Sequence, residues 1–449
     1  MTLQASQLVA LEATDATRRM SAGEFSVRDY TQALMGRIQE TEPQVQAWTT
    51  LDAGYVRSQA ENLDERHAAG APDGPLFGLA VGIKDIIDTR DLPTELGSPL
   101  FSGRQPRADA TLVRSLRAAG AVIMGKTVTT EMATYSPGKT RNPHNPGHTP
   151  GGSSSGSAAA VAAGQVPLAV GTQTNGSVIR PASFCGVVGY KPTFGLIPRT
   201  GVLTQSPPLD QVGVFARSVA DAALLAEVLA GYDEHDPATV PRAHLPLLRT
   251  ALQEPPVPPT LGWVKTPFWD RMAPDAHEAF QELVQLLGDR VKSFDLPPSA
   301  ADAIEWQRTV MEADIAGSYD KEYREGRDQL SASLKAQIER GQRVTAVDYR
   351  KAVARIALLN TGFEDVFDHF SAFITPATLG TAPAGLDATG DPVMCTLWTF
   401  TGMPAISLPL LRGANGLPIG VQLVGPRGDD ARLLRTARWL MNTVASAAA

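Results

Sequence analysis

Cysteine is almost absent: the 449 residues carry two, Cys185 and Cys395. So few thiols exclude a disulfide scaffold and point to a reducing compartment. Basic charge is not in excess either. Forty Lys and Arg against 47 Asp and Glu leave a net charge of −7, so a nucleic-acid partner is not expected. No uninterrupted apolar run reaches the ~18 residues of a membrane span. The start, Met1-Thr2-Leu3-Gln4-Ala5-Ser6, lacks the basic segment and apolar stretch of a signal peptide. Histidine is scarce, with seven residues and no His-Glu-x-x-His pattern, so the common zinc signatures are missing. These absences leave a cytoplasmic protein acting on small molecules as the expectation.

What is present is ordinary for a globular chain. Hydrophobic residues make up 43%, enough for a large core. Glycine (40) and proline (34) stay well below the roughly 25–30% of disordered chains. At ~150 residues per domain, the length alone suggests about three domains.

The pattern along the chain alternates. Residues 5–42 have helix-like apolar spacing, with Ser26 as an N-cap. A helix is expected over 53–69, a strand over 76–84, a helix over 110–119 and a strand over 121–124. That alternation argues an α/β fold. Residues 134–157 read as a long irregular loop, of the kind usually tied to function. A small-residue helix (158–163) and a strand (166–170) follow. Prolines punctuate 255–300, and 301–369 read as helical. Two strands (405–410 and 419–424) and a helix (433–444) close the chain.

Three familiar patterns fail on physical grounds. Gly120–Thr127 fits G-x-x-x-x-G-K-[ST], but its middle residues are themselves an apolar strand, not a phosphate-cradling turn. His144 and His148 have the spacing of a helical zinc pair, but Pro143, Pro146 and Pro150 forbid the helix. Gly152-Ser153-Ser154-Ser155-Gly156 matches a nucleophile elbow, but no strand precedes it and no histidine has a fitting context.

Two serine-rich segments remain. Gly151–Ser157 runs straight into an alanine helix. Gly171–Pro181 leaves a strand, makes an Asn-Gly turn, and places Pro181 where a helix's first turn tolerates it. Ser177 would then sit near a helix N-terminus, where free N–H groups can stabilise an oxyanion. A base is needed. Lys84 ends the strand before Asp85, and burial would keep a lysine there neutral.

Together these pieces resemble the amidase signature family, from about residue 75 to 216 and again from about 373 to 440. The matching segments are Gly78–Asp85, Asp109-Ala110-Thr111, Gly125-Lys126-Thr127, Gly151–Ser154, Ala158–Gly164, the Ser177 segment, Gly186–Thr193, Thr401–Ala405 and Gly416–Leu423. The resemblance implies one large domain over 1–449, with a mixed central sheet covered by helices on both faces. The helical region 301–369 would shape the substrate entrance. It also implies Ser177 as nucleophile, Ser153 as the cis-peptide serine 24 residues earlier, and Lys84 as base. The oxyanion hole would be the backbone of Thr174, Asn175, Gly176 and Ser177. No metal and no cofactor are implied. Dimers are common in the family, so a homodimer is one expectation.

This chain departs from the family pattern at Gln173 (commonly Asp), Asn175 (commonly Gly) and Ser155 (commonly Gly). Asn tolerates positive φ, so the turn at 175 is expected to survive. Arg180 stands three residues after Ser177. That placement resembles the malonamidase branch and implies a clamp for a substrate carboxylate. The expected function is hydrolysis of a small carboxylic amide. The alternatives are the amide-transfer subunit of a tRNA-dependent amidotransferase and a non-catalytic binding module on the same fold.

Overall fold

Eleven strands form one sheet that collects segments from almost the whole chain. The computed structural model describes residues 3–448. The strands are β1 (Trp48–Leu51), β2 (Ala80–Lys84), β3 (Val122–Thr127), β4 (Leu168–Gln173), β5 (Val188–Lys191), β6 (Gln211–Ala216), β7 (Leu261–Trp263), β8 (Val291–Ser293), β9 (Ala372–Pro376), β10 (Ala405–Arg412) and β11 (Pro418–Val424). Their order is β1-β3-β2-β4-β6-β5-β10-β11-β9-β7-β8. Pairing is parallel for β3–β2–β4 and for β9–β7–β8, and antiparallel elsewhere. The fold is therefore a single domain on a large mixed sheet flanked by helices, not the three units that length suggests. Among the described residues no helix is long and apolar enough to cross a membrane.

The local readings hold in kind and shift at their ends. Ser26 caps the Val27–Val45 helix with a reciprocal bond to Asp29, but residues 5–42 are three helices rather than one. The strand expected over 76–84 begins at Ala80, because Leu76–Gly78 form a turn, with Leu79 bonded back to Leu76. The expected 121–124 strand continues through Thr127, so Gly125-Lys126-Thr127 lies within the sheet. Lys126 is fully buried there. It donates to the Ile87 carbonyl at 2.8 Å and lies 3.4 Å from Asp85. Burial pushes Lys126 down to about 8 and Asp85 up to about 6. This lysine is a structural post, as rejection of the phosphate-loop reading requires.

The proline-punctuated stretch 255–300 hides β7, β8 and the helix Pro274–Leu287. Two three-residue strands carry too few residues for an apolar pattern to register.

Two features set the site. The alanine helix starts at Ser155, inside the serine motif rather than after it. It can lie against the sheet because Gly156 has no side chain: a Cβ there would meet Val128 N at 2.4 Å and Ala47 O at 2.3 Å. Ser155, the departure from glycine, fits by bonding the Val128 carbonyl at 3.2 Å. The second feature is register. Ile83 pairs with Val170, so Lys84 at the end of β2 faces the last residues of β4.

Candidate active site

Lys84 is fully buried, and its Nζ lies 2.7 Å from Ser153 Oγ and 2.8 Å from Thr172 Oγ1. Burial drives its pKa well below the ordinary lysine value, and the Asp210 carboxylate partly offsets this. No carboxylate pairs with Lys84 among the described residues. Ser153 follows a cis peptide bond from Gly152, which begins the turn into the Ser155 helix.

Ser177 lies between the end of β4 and the helix Ile179–Cys185, with Pro181 in that helix's first turn as expected. It lines a small cleft with about 290 Å3 of empty space, whose walls include Tyr135, Asn175, Arg180, Met311 and Gln337. The sequence thus brings Lys84, Ser153 and the 174–177 loop into one region from three separate elements. A larger cavity of about 930 Å3 lies alongside, reaching Thr172 and Asp210, but Ser177 does not line it.

The loop amides divide cleanly. Among the described residues, no acceptor receives the N–H groups of Asn175, Gly176 or Ser177. The next two, from Val178 and Ile179, both bond to Gln173 Oε1 at 2.7 and 3.0 Å. Gln173 Nε2 donates to Thr399 Oγ1 at 2.8 Å. The Gln173 departure is therefore a neutral cap on the following helix. It satisfies the amides beyond Ser177 and leaves the three before them free.

The turn at Asn175 needs no positive φ: Asn175 is not among the residues in the left-handed region. Its side chain is used instead, with Thr396 Oγ1 donating to Asn175 Oδ1 at 2.7 Å. Gly176 is required by close approach, since a Cβ would meet the Pro392 side chain at 2.9 Å. The segment Val393–Phe400, a helix, thus clamps the loop through Thr396 and Thr399.

Asp210 escapes a reading of the sequence. It accepts from Thr174 Oγ1 at 2.6 Å and from the amides of Gln205 and Ser206 at 2.8 and 2.9 Å. Burial pushes its pKa up to about 6. Gln307, on the helix Ala303–Ser318, donates to the Thr174 carbonyl at 3.1 Å. Neither lies in a recognisable motif, and they reach Thr174 across 36 and 133 positions.

Arg180 is buried, with 2% exposure. Its Nη2 donates to the Gly152 carbonyl at 2.8 Å and to Thr389 Oγ1 at 3.2 Å. Among the described residues its Nε and Nη1 have no partner. His144 Nε2 contacts the Cys185 carbonyl at 2.9 Å. No cluster of metal-ligating side chains occurs among the described residues.

A buried lysine on a serine, a loop of free amides and a mixed eleven-stranded sheet define an enzyme of the amide-cleaving class. The chain belongs to the amidase family, whose family model matches residues 29–434. In sequence it is similar to a glutamyl-tRNA(Gln) amidotransferase subunit of Symbiobacterium thermophilum, at 35% identity over 95% of each chain. In structure it is similar to the peptide amidase of Stenotrophomonas maltophilia, with TM-score 0.84 and 27% identity over 97% of each chain. It is also similar to a structure described as a vestigial protein complex revealing the origins of an s-triazine catabolic enzyme. There the TM-score is 0.90 and identity 28%, over 96% of this chain and 98% of the other.

Proposed function

We propose that the chain cleaves a small carboxylic amide through an acyl-enzyme on Ser177, with Ser153 and Lys84 as the proton relay. The observation that carries this reading is the 2.7 Å contact between Lys84 Nζ and Ser153 Oγ, in a site where burial favours the neutral amine. Neutral Lys84 accepts the Ser153 proton while Ser153 takes the proton of Ser177. Ser177 Oγ bonds to the amide carbon, and the carbonyl electron pair moves to oxygen. The 174–177 amides hold that oxyanion. Collapse breaks the C–N bond, and the relay returns a proton to the leaving nitrogen. Water then attacks the acyl-enzyme by the same path in reverse. The cleft walls from the helices at 303–318 and 332–341, through Met311 and Gln337, support the helical region as the roof of the substrate entrance.

The unpaired Nε and Nη1 of Arg180 support a carboxylated substrate, because a buried guanidinium needs an anion or acceptors. Arg180→Ala is expected to reduce kcat/KM on carboxylated amides at least about 30-fold, from about 2 kcal/mol or more for a buried charged contact. The loss on neutral amides should be much smaller. Equal losses on both would remove the clamp, since Arg180 also steadies Gly152.

Asp210→Asn tests the base. Asp210 raises the Lys84 pKa, so removing its charge lowers that pKa further. The acid limb of the kcat/KM profile should then move to lower pH. A limb that stays in place or moves up would show that Lys84 does not set it.

The released nitrogen has two destinations. The relatives named as subunits of glutamyl-tRNA(Gln) amidotransferase support a chain that passes it to a partner, and on sequence identity this reading is the better supported. The solved peptide amidase, with the departures at Gln173 and Asn175, supports a self-sufficient hydrolase, alone or as a homodimer. Purification decides between them. Ammonia release from small amides by this chain alone, with its mass measured by light scattering, supports the hydrolase. Release that appears only with added partner subunits supports the transfer role. The binding-module reading fails as soon as a fluorophosphonate probe labels the wild type.

A further inference from the structure

We infer that Gln337 is a specificity residue that reads a second planar N–H/C=O group on the substrate, beside the scissile amide and the carboxylate assigned to Arg180. The inference rests on the amide-cleavage reading and deepens it. Gln337 lies on the helix Ala332–Gly341, which Ser331 caps through the Leu334 amide. The buried face of that helix is Leu334, Gln337, Ile338 and Gly341, so helical spacing turns a glutamine inward among apolar residues. Gly341 lets this helix pack closely on Ala303–Ser318, because a Cβ there would meet the Glu312 carbonyl at 1.9 Å. The side chain of Gln337 is therefore carried to the cleft by tight helix packing.

Gln337 is 2% exposed, and among the described residues neither its Nε2 nor its Oε1 has a partner. A buried amide with both ends unpaired is costly, and leucine or methionine would fill the same space without that cost. Of the residues that line the Ser177 cleft, only Arg180 and Gln337 carry buried unpartnered side-chain atoms. The other glutamines near the loop, Gln173, Gln205 and Gln307, are bonded.

The donor inventory separates the possible ligands. A carboxylate offers acceptors alone. It would satisfy Arg180, or Gln337 Nε2, and leave Oε1 unpaired. A primary carboxamide or a terminal ureido group offers a donor and an acceptor on one edge and pairs with both ends of Gln337. The substrate class these contacts define is a carboxylated amide bearing a second amide-like group.

The test compares succinamate with N-carbamoylasparagine, which adds a ureido group, with a donor and an acceptor on one edge, to the same acid-amide skeleton. Turnover is measured in the wild type, and affinity by calorimetry in Ser177→Ala. The ureido compound is expected to win by about ten-fold or more in both measurements. Gln337→Met should bring the ratio close to one. Gln337→Glu, with acceptors alone, should also lose the preference while keeping the shape. Melting of Gln337→Met should match or exceed that of the wild type, since an unpaired polar group is removed. A ratio unchanged in Gln337→Met, or no preference in the wild type, overturns the assignment. So does a marked fall in melting temperature, which would make Gln337 a structural residue. If no amide is turned over and no probe labels the protein, the amide-cleavage reading fails. The Ser177→Ala affinity ratio still judges Gln337 by itself.

Discussion

Ser177→Ala is expected to lose amide turnover by about 10^6-fold, the scale on which serine hydrolases lose rate without their nucleophile. Fluorophosphonate labelling should vanish with it. The same variant should fold and melt like the wild type, to within about 0.5 kcal/mol. Ser177 borders the cleft with 9% exposure, and no hydrogen bond of its hydroxyl to the rest of the protein is found among the described residues. The change therefore removes a reacting oxygen while leaving the packing in place. Retained labelling in Ser177→Ala would move the nucleophile elsewhere, with Ser153 and Ser154 the neighbours to test next. Ser154 is the weaker of these, because its hydroxyl is already bonded to the Thr172 carbonyl at 3.2 Å.

Lys84→Met carries the second large effect, a loss of about 10^2- to 10^4-fold in kcat, the usual contribution of a positioned general base. The acid limb of the wild-type pH profile should disappear with it. Stability gives an independent reading. Folding buries Lys84 with its pKa far below the unfolded value of about 10.4, so the unfolded chain binds the extra proton and burial opposes folding at neutral pH. That penalty shrinks as pH rises and is gone above the unfolded pKa. Methionine carries no such penalty. The stability of Lys84→Met relative to the wild type is therefore expected to be greatest near pH 7 and to decline steadily toward pH 10. Chemical denaturation across that range measures it. A difference that does not change with pH would mean that Lys84 is charged in the folded protein and is not a base.

The two variants separate chemistry from architecture because the site joins elements that the fold places independently. Lys84 ends β2, Ser153 leads into a helix packed against β3, and Ser177 follows β4. The clamp on the loop comes from the helix Val393–Phe400, through Thr396 and Thr399. Gln173 shows how such a site tolerates change. Where the family commonly has an acid, its amide accepts the Val178 and Ile179 N–H groups and donates to Thr399. The helix start stays capped without adding a negative charge beside the free amides of the loop.

Ser153 came from the family resemblance, while the sequence's own patterns determined the α/β class, five of the eleven strands, the helical region at 301–369, and Lys84 and Ser177 as candidate reacting groups. These were legible because each depends on local order: apolar periodicity, a cap such as Ser26, a glycine–serine run meeting an alanine helix. It also sufficed to reject the phosphate loop, since an apolar run cannot be a phosphate-cradling turn. Only the tertiary structure decided that β7 and β8 join the same sheet and that Asn175 works through its side chain rather than a positive φ. It likewise decided that Asp210, Thr399, Gln307 and Gln337 border the chemistry. Thr399 and Gln307 act on partners far away in the chain, Asp210 reaches 36 positions to Thr174, and Gln337 meets the cleft through helix packing. Gln173 and Thr399 are 226 positions apart, and Gln307 and Thr174 are 133 apart. Hydrogen bonds and clefts form between surfaces, and no local pattern of residues encodes which surfaces will meet.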